Sequence, residues 1–219
     1  LLVEGAPHER IADITNIRRV YLGGNEVDRD ALARAIAAPG PTPIPAVKAS
    51  ARIDDFESAN GRSLLDTLWV NATDHGHDHS KMLYARTLRS PGNHAYMVMT
   101  RMSDTDTPTA RAVLPLAKGA IEPVDASAFH GVQFEARGEG EYRLLIPTRA
   151  VWDFNYFAST FAAGPRWKKV KIAFTDLRRA NPKHPATWTA KDLLMLQFEL
   201  ARPATTSAWL EIDNLRFYR

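Results

Sequence analysis

The 219-residue sequence contains no cysteine, which excludes disulfides and thiolate metal sites. No uninterrupted apolar run approaches membrane-spanning length. Charge of one sign is scarce: 28 Lys and Arg against 25 Asp and Glu leave a net +3, too little for the concentrated positive surface of a nucleic-acid binder. A Gly-rich phosphate loop is missing, and so is the Gly-x-Ser-x-Gly of a nucleophile elbow; Ser63, Ser80 and Ser159 have no evident base beside them. Lack of cysteine does not fix the compartment, with the periplasm or the exterior slightly favoured. The first residue is Leu1, and no charged and then apolar leader follows it, so the chain reads as the C-terminal part of something longer.

What is present suits one medium domain and a smaller piece: 45% apolar and 24% charged residues, enough to build a core without staples. Residues 1–37 read as strand, turn and strand. Gly5-Ala6-Pro7 marks a turn, Ile11, Ile14 and Ile17 sit one helical turn apart, and Gly23-Gly24-Asn25 makes a hairpin turn. Asp30 is placed to cap a helix over 31–37. Gly5-Ala6-Pro7, Asp13-Ile14, Ile17-Arg18, Gly24 and Val27-Asp28-Arg29 resemble, in that order, the end of the metal-dependent amidohydrolases of the imidazolonepropionase-like group. There the chain leaves the catalytic barrel and finishes a small sandwich. The resemblance implies that the barrel of the same parent is this chain's partner and that any zinc sits in that barrel, whose ligands do not occur here.

Residues 38–51 form the boundary. Pro39, Pro41, Pro43 and Pro45 recur at every second position, which excludes a helix or a central strand and predicts an extended spacer. Residues 52–219 then read as all-β. Val132, Phe134 and Ala136 alternate with Gln133, Glu135 and Arg137; Tyr142, Leu144 and Ile146 follow after Gly138-Glu139-Gly140, which predicts a hairpin. Val170, Ile172 and Phe174 alternate with lysines, and Leu196, Phe198 and Leu200 with Gln197 and Glu199. Residues 154–161 read as a further strand, and short helical turns are expected at 176–179 and 190–193. In the last twelve residues the apolar parity changes between Leu210, Ile212 and Leu215, Phe217, which predicts a bulge at Asp213-Asn214. Strands at this spacing predict a jelly-roll β-sandwich.

Asp55-Phe56, Trp69, the 131–142 pair of strands, Trp167-x-x-Val-x-Ile-x-Phe174 and Leu210-Glu-Ile-Asp-Asn-Leu-x-Phe217 together resemble the complex I intermediate-associated protein family, with its galactose-binding-like jelly roll. Related carbohydrate-binding modules share the first and last strands. That resemblance implies a structural Ca²⁺ between those strands, held by Glu57, Asp213 and Asp55 as hard oxygen ligands. It departs at Asp74-His-Gly-His-Asp-His-Ser80, where the family has a Gly- and Ser-containing loop.

Three constellations carry candidate chemistry. His75, His77 and His79 would share one face of an extended strand and could hold Zn²⁺ with an open position, although a polar surface loop explains them more simply. The Glu57, Asp55 and Asp213 set is the calcium candidate. Trp152 and Trp188, in expected loops, would offer aromatic platforms to a sugar ring, with Asn155 and Arg143 hydrogen-bonding its hydroxyls. Read together, the expectation is a non-catalytic binding module for a glycan-like ligand or a protein partner, appended to a metal-dependent amidohydrolase. The alternatives are a metal hydrolase centred on His75, His77 and His79, and an assembly or scaffolding domain.

Overall fold

A computed structural model describes residues 1–37, 44–180 and 185–219. It divides into two compact units, Leu1–Pro43 and Ile44–Arg219. Prolines 39, 41 and 43 of the expected spacer lie outside the described residues.

In the first unit β1 (Leu2–Val3) pairs antiparallel with β2 (Ile17–Arg19), and β3 (Tyr21–Leu22) with β4 (Asn25–Glu26). The Gly5 turn and Asp13 belong to one device. The Asp13 carboxylate accepts from Ala6 N at 3.0 Å and from Arg10 Nε at 2.8 Å, and a Cβ on Gly5, whose φ is +105°, would stand 2.5 Å from Asp13 Oδ2. Helix α1 (Arg29–Ala37) is capped by Asp28, which accepts from Ala31 N at 2.8 Å, and not by the expected Asp30. Asp13 is the only buried residue among those described in this unit.

In the second unit β5 (Val47–Lys48) pairs in parallel with β11 (Val124–Asp125), so the end of the expected spacer is paired backbone. The other strands are β6 (Arg52–Asp54), β7 (Val70–Thr73), β8 (Lys81–Ser90), β9 (Asn93–Arg101), β10 (Thr109–Pro115), β12 (Gly131–Gly138), β13 (Gly140–Ile146), β14 (Phe157–Ala163), β15 (Lys168–Ala173), β16 (Met195–Ala201) and β17 (Ser207–Tyr218). They form two sheets. One has the order β14-β13-β16-β10-β7; the other has β15-β12-β17-β9-β8, with β6 joining along β17. The chain is an all-β jelly-roll sandwich.

The inner faces meet in one core. Phe134 from β12 lies edge-to-face with Phe161 of β14 and Phe198 of β16, both at 5.0 Å. The expected hairpin at Gly138-Glu139-Gly140 is instead an arch: β12 lies in one sheet and β13 in the other. Both strands alternate correctly, and their apolar sets are buried, but they meet the core from opposite sides. Tyr142 secures the arch, its hydroxyl accepting from Glu139 N at 2.7 Å and donating to Trp209 O. A 3₁₀ turn spans Phe174–Asp176, ahead of the expected position, and residues 190–193 bend without forming a helix, Leu193 instead bridging to Val124 and Thr148.

The bulge lies where the parity change requires it. Gln133 pairs with Arg216 and Glu135 with Asp213, so β17 spends one extra residue there. Asn214 takes it up at φ +52°, a region asparagine tolerates better than most residues. Ile212 and Leu215 consequently both face the core. One edge of β17 runs along β12. The other pairs with β9 up to Ile212 and then with β6 from Leu215, so the first and last strands of the sandwich are neighbours.

Candidate functional site

The outer face of the five-stranded sheet carries a polar row fixed by strand register. Arg143 on β13 pairs with Glu199 on β16, which pairs with Arg111 on β10. Arg111 Nε donates to Glu199 Oε2 at 2.7 Å and Arg143 Nη1 to Oε1 at 2.8 Å. Glu199 is buried between them, whereas the arginine side chains remain 33% and 43% exposed, leaving guanidinium N–H groups within reach of a ligand. In the next row Leu145 pairs with Gln197 and Gln197 with Val113. Gln197 is 7% exposed, and its buried Oε1 has no hydrogen-bond partner among the described residues.

The connection from β13 to β14 carries Trp152, Phe154 and Tyr156. Its anchor is Asp153, which accepts from Arg179 Nη2 at 2.7 and 2.8 Å; both side chains are almost fully buried. Arg179 Nε also donates to Asn155 O at 2.7 Å. Around this anchor Phe154 adopts φ +59°, an unfavourable region for a bulky residue, and its side chain is 82% exposed; Trp152 is 66% exposed. Tyr156 is half-buried, its ring 6.3 Å from that of Phe154. Burial pushes its phenol pKa up, while the charge of Arg111 pulls it down and that of Asp153 raises it.

Of the residues expected to bind a sugar, Arg143 lies in the row and Trp152 is exposed on the loop. Asn155 is held through its backbone, its N–H donating to Asp153 Oδ1 at 3.2 Å. Trp188 is half-buried and packs its ring against Phe157 at 5.1 Å and Phe174 at 5.0 Å. The sequence reading noted Gln197 and Glu199 only as outward positions of a strand. It passed over Arg111 because Thr-Ala-Arg-Ala-Val-Leu-Pro, with its small residues, carries little alternation.

The calcium set is not gathered. Glu57 Oε1 accepts from His94 N and Oε2 lies by His94 Nδ1, both at 2.8 Å; the His94 backbone N–H foremost holds its carboxyl below the usual range. Asp55 bonds Arg52 at 2.6 Å. Asp213 lies on the outer face of the six-stranded sheet, where Arg89 bridges it, at 2.5 Å, to Glu135 and stacks 4.1 Å over Trp167. Burial pushes the Asp213 carboxyl up and Arg89 opposes the shift. Neighbouring strands therefore do not bring these carboxylates to one point, because each is taken by a different cation or N–H. His75 and His77 are exposed, and His79 is half-buried with Nδ1 3.3 Å from Gly76 O. Among the described residues no group of three His, Asp or Glu side chains could hold a metal ion.

Asp74 fixes the histidine loop through its hydrogen bonds. It accepts from Ser80 N at 3.1 Å and Ser103 Oγ at 2.5 Å, tying the loop's two ends to the β9–β10 connection. Burial alone raises its pKa, but these hydrogen bonds outweigh burial and bring it from 3.8 to about 2. A folded pKa below the unfolded one gives stability that is complete above the unfolded value and lost as pH falls through the folded value. Urea unfolding is expected to show Asp74→Asn less stable than the parent at pH 6, the gap narrowing between pH 4 and pH 2. An unchanged gap would show that the charge of Asp74 is not what closes the loop.

No protein-family model matches the chain, and no curated protein matches it. Solved structures do. The family 11 carbohydrate-binding module of Clostridium thermocellum in complex with a β-1,3-1,4-mixed-linked tetrasaccharide is similar at TM-score 0.56 and 18% identity, over 76% of this chain and 94% of that one. The family 11 module of the cellulosomal cellulase Lic26A-Cel5E of the same organism is similar at TM-score 0.58 and 19% identity, over 79% and 95%. The likeness is one of fold. It covers most of both modules, and it confirms the jelly-roll sandwich expected from the strand pattern.

Proposed function

We propose that the sandwich is a non-catalytic glycan-binding module whose ligand lies on the outer face of the five-stranded sheet. The observation that carries the reading is the Arg111–Glu199–Arg143 row, with exposed aromatic rings on an anchored loop. Sugar hydroxyls accept as well as donate, so they match the guanidinium N–H groups; the C–H faces of a pyranose ring match Phe154 and Trp152. Family 11 modules of the same fold, one of them with a bound mixed-linked tetrasaccharide, support the reading.

A glycan array followed by calorimetry tests it, with the β-1,3-1,4-mixed-linked tetrasaccharide as the first ligand. Arg143→Ala is expected to weaken binding at least about 10-fold, the scale of a lost charged hydrogen bond. Phe154→Ala and Trp152→Ala are each expected to weaken it roughly 3- to 10-fold through lost stacking. Binding to no glycan, or full binding by all three variants, would overturn the proposal.

The finer proposal is that the module serves a metal-dependent amidohydrolase. It rests on the motif order in residues 1–37 and on the exposed Leu1, Ile11, Ile14 and Leu22 of the first unit, apolar groups that a barrel would cover. The coding sequence upstream of Leu1 tests it: a barrel with a His-x-His strand and further metal ligands would support it, and any other upstream sequence would remove it.

A further inference from the structure

A cavity of about 490 Å³ opens between the two sheets at the edge where β7 and β8 end them. The chain enters the sandwich here, with Phe56 at φ +57° turning inward after β6. The rings of Phe56, Trp69 and Tyr96 are buried and stack on one another, Trp69 to Tyr96 at 4.6 Å and Phe56 to Tyr96 at 5.6 Å. Tyr84 on the edge strand closes one side 5.7 Å from Tyr96 and is half exposed, and Leu68 and Val70 add exposed apolar surface. The stacked faces of the three buried rings are turned to each other, which disfavours a cation cage and leaves ring edges and aliphatic groups as walls.

The buried polar groups are few and, with one exception, occupied. Asp54 accepts from Trp69 Nε1 at 2.8 Å and from Phe56 N at 2.9 Å. Arg86 donates to Phe56 O at 2.6 Å and Glu57 O at 3.1 Å, and Arg62 to Asp66 O at 2.8 Å. The exception is Tyr96. Its side chain is 5% exposed and lines the cavity, and its hydroxyl has no partner among the described residues. A buried hydroxyl in that state costs about 1–3 kcal/mol until an acceptor reaches it.

We propose that this cavity binds a small, neutral, largely aromatic molecule with one acceptor oxygen, which takes the Tyr96 hydroxyl as its donor. Size, wall chemistry and the open donor agree on that class. The buried carboxylate of Asp54 counts against an anion, and the apolar walls give a sugar's many hydroxyls nothing to bond. The site shares no residue with the Arg111–Glu199–Arg143 row, so it is independent of the glycan reading.

Prodan, a neutral naphthalene ketone whose emission shifts to the blue in apolar surroundings, is the probe. Titration of the full chain is expected to show saturable one-site binding with a blue shift. Tyr96→Phe keeps the ring and removes the donor, and is expected to weaken binding about 5-fold or more, with the unfolding temperature unchanged or raised. Tyr84→Ala removes a half-exposed wall and is expected to weaken it about 10-fold. Arg143→Ala is expected to bind the probe as the parent does. Absence of saturable binding, or parental affinity in both Tyr96→Phe and Tyr84→Ala, would overturn the proposal.

Discussion

Arg179→Met is expected to destabilise the sandwich unit by about 3–5 kcal/mol, because it removes the cation paired with a buried carboxylate. In the native chain Arg179 Nη2 lies 2.7 and 2.8 Å from the two oxygens of Asp153, and neither side chain is more than 5% exposed. Methionine fills much of the volume but donates nothing. The same change removes the bond to Asn155 O and so frees the loop that keeps Phe154 in a left-handed backbone conformation. Denaturant unfolding is the measurement, and the double variant Asp153→Asn with Arg179→Met supplies the control. Because the two groups are directly coupled, the pair should cost less than the sum of its parts. A loss below about 1 kcal/mol in the single variant would show that this clamp does not hold the loop.

Phe134→Ala is expected to be comparably severe, at about 4 kcal/mol, a fall of roughly 10–15 °C in unfolding temperature. Phe134 is fully buried and belongs to the six-stranded sheet, yet its edge-to-face partners Phe161 and Phe198 belong to the other. Truncation thus opens a void at the point where the sheets are joined, and it removes two aromatic contacts beyond the lost area. Phe134→Leu should recover more than half of the loss, since it refills most of the volume. Thermal unfolding that moved by only a few degrees in the alanine variant would place the centre of the core elsewhere.

The parity change in β17 shows how much local pattern can fix. Leu210 and Ile212 against Leu215 and Phe217 allow only a strand with one residue inserted, and that residue is Asn214. The resemblance to carbohydrate-binding modules implied the first strand beside the last, and β6 does pair with β17. The alternation of β12 and β13 was equally legible, but their partnership was not. A period of two says which side chains are buried; it does not say from which side of the core they come, so an arch and a hairpin read alike.

The candidate site divides in the same way. Arg143 and Trp152 were visible as residue types at suitable places. Arg111 and Glu199 were not, because their meaning lies in register across three strands far apart in sequence. Glu57, Asp55 and Asp213 looked like one set because neighbouring strands carry them. The structure gives each its own cation or N–H, a competition among side chains that spacing does not express. The sequence by itself determined an all-β sandwich and its bulge, because period and parity are local properties of the backbone. Tertiary structure alone decided which charges meet, which rings stay exposed and where a buried tyrosine is left with an open donor, because those depend on pairing between distant strands and on what desolvation leaves unsatisfied.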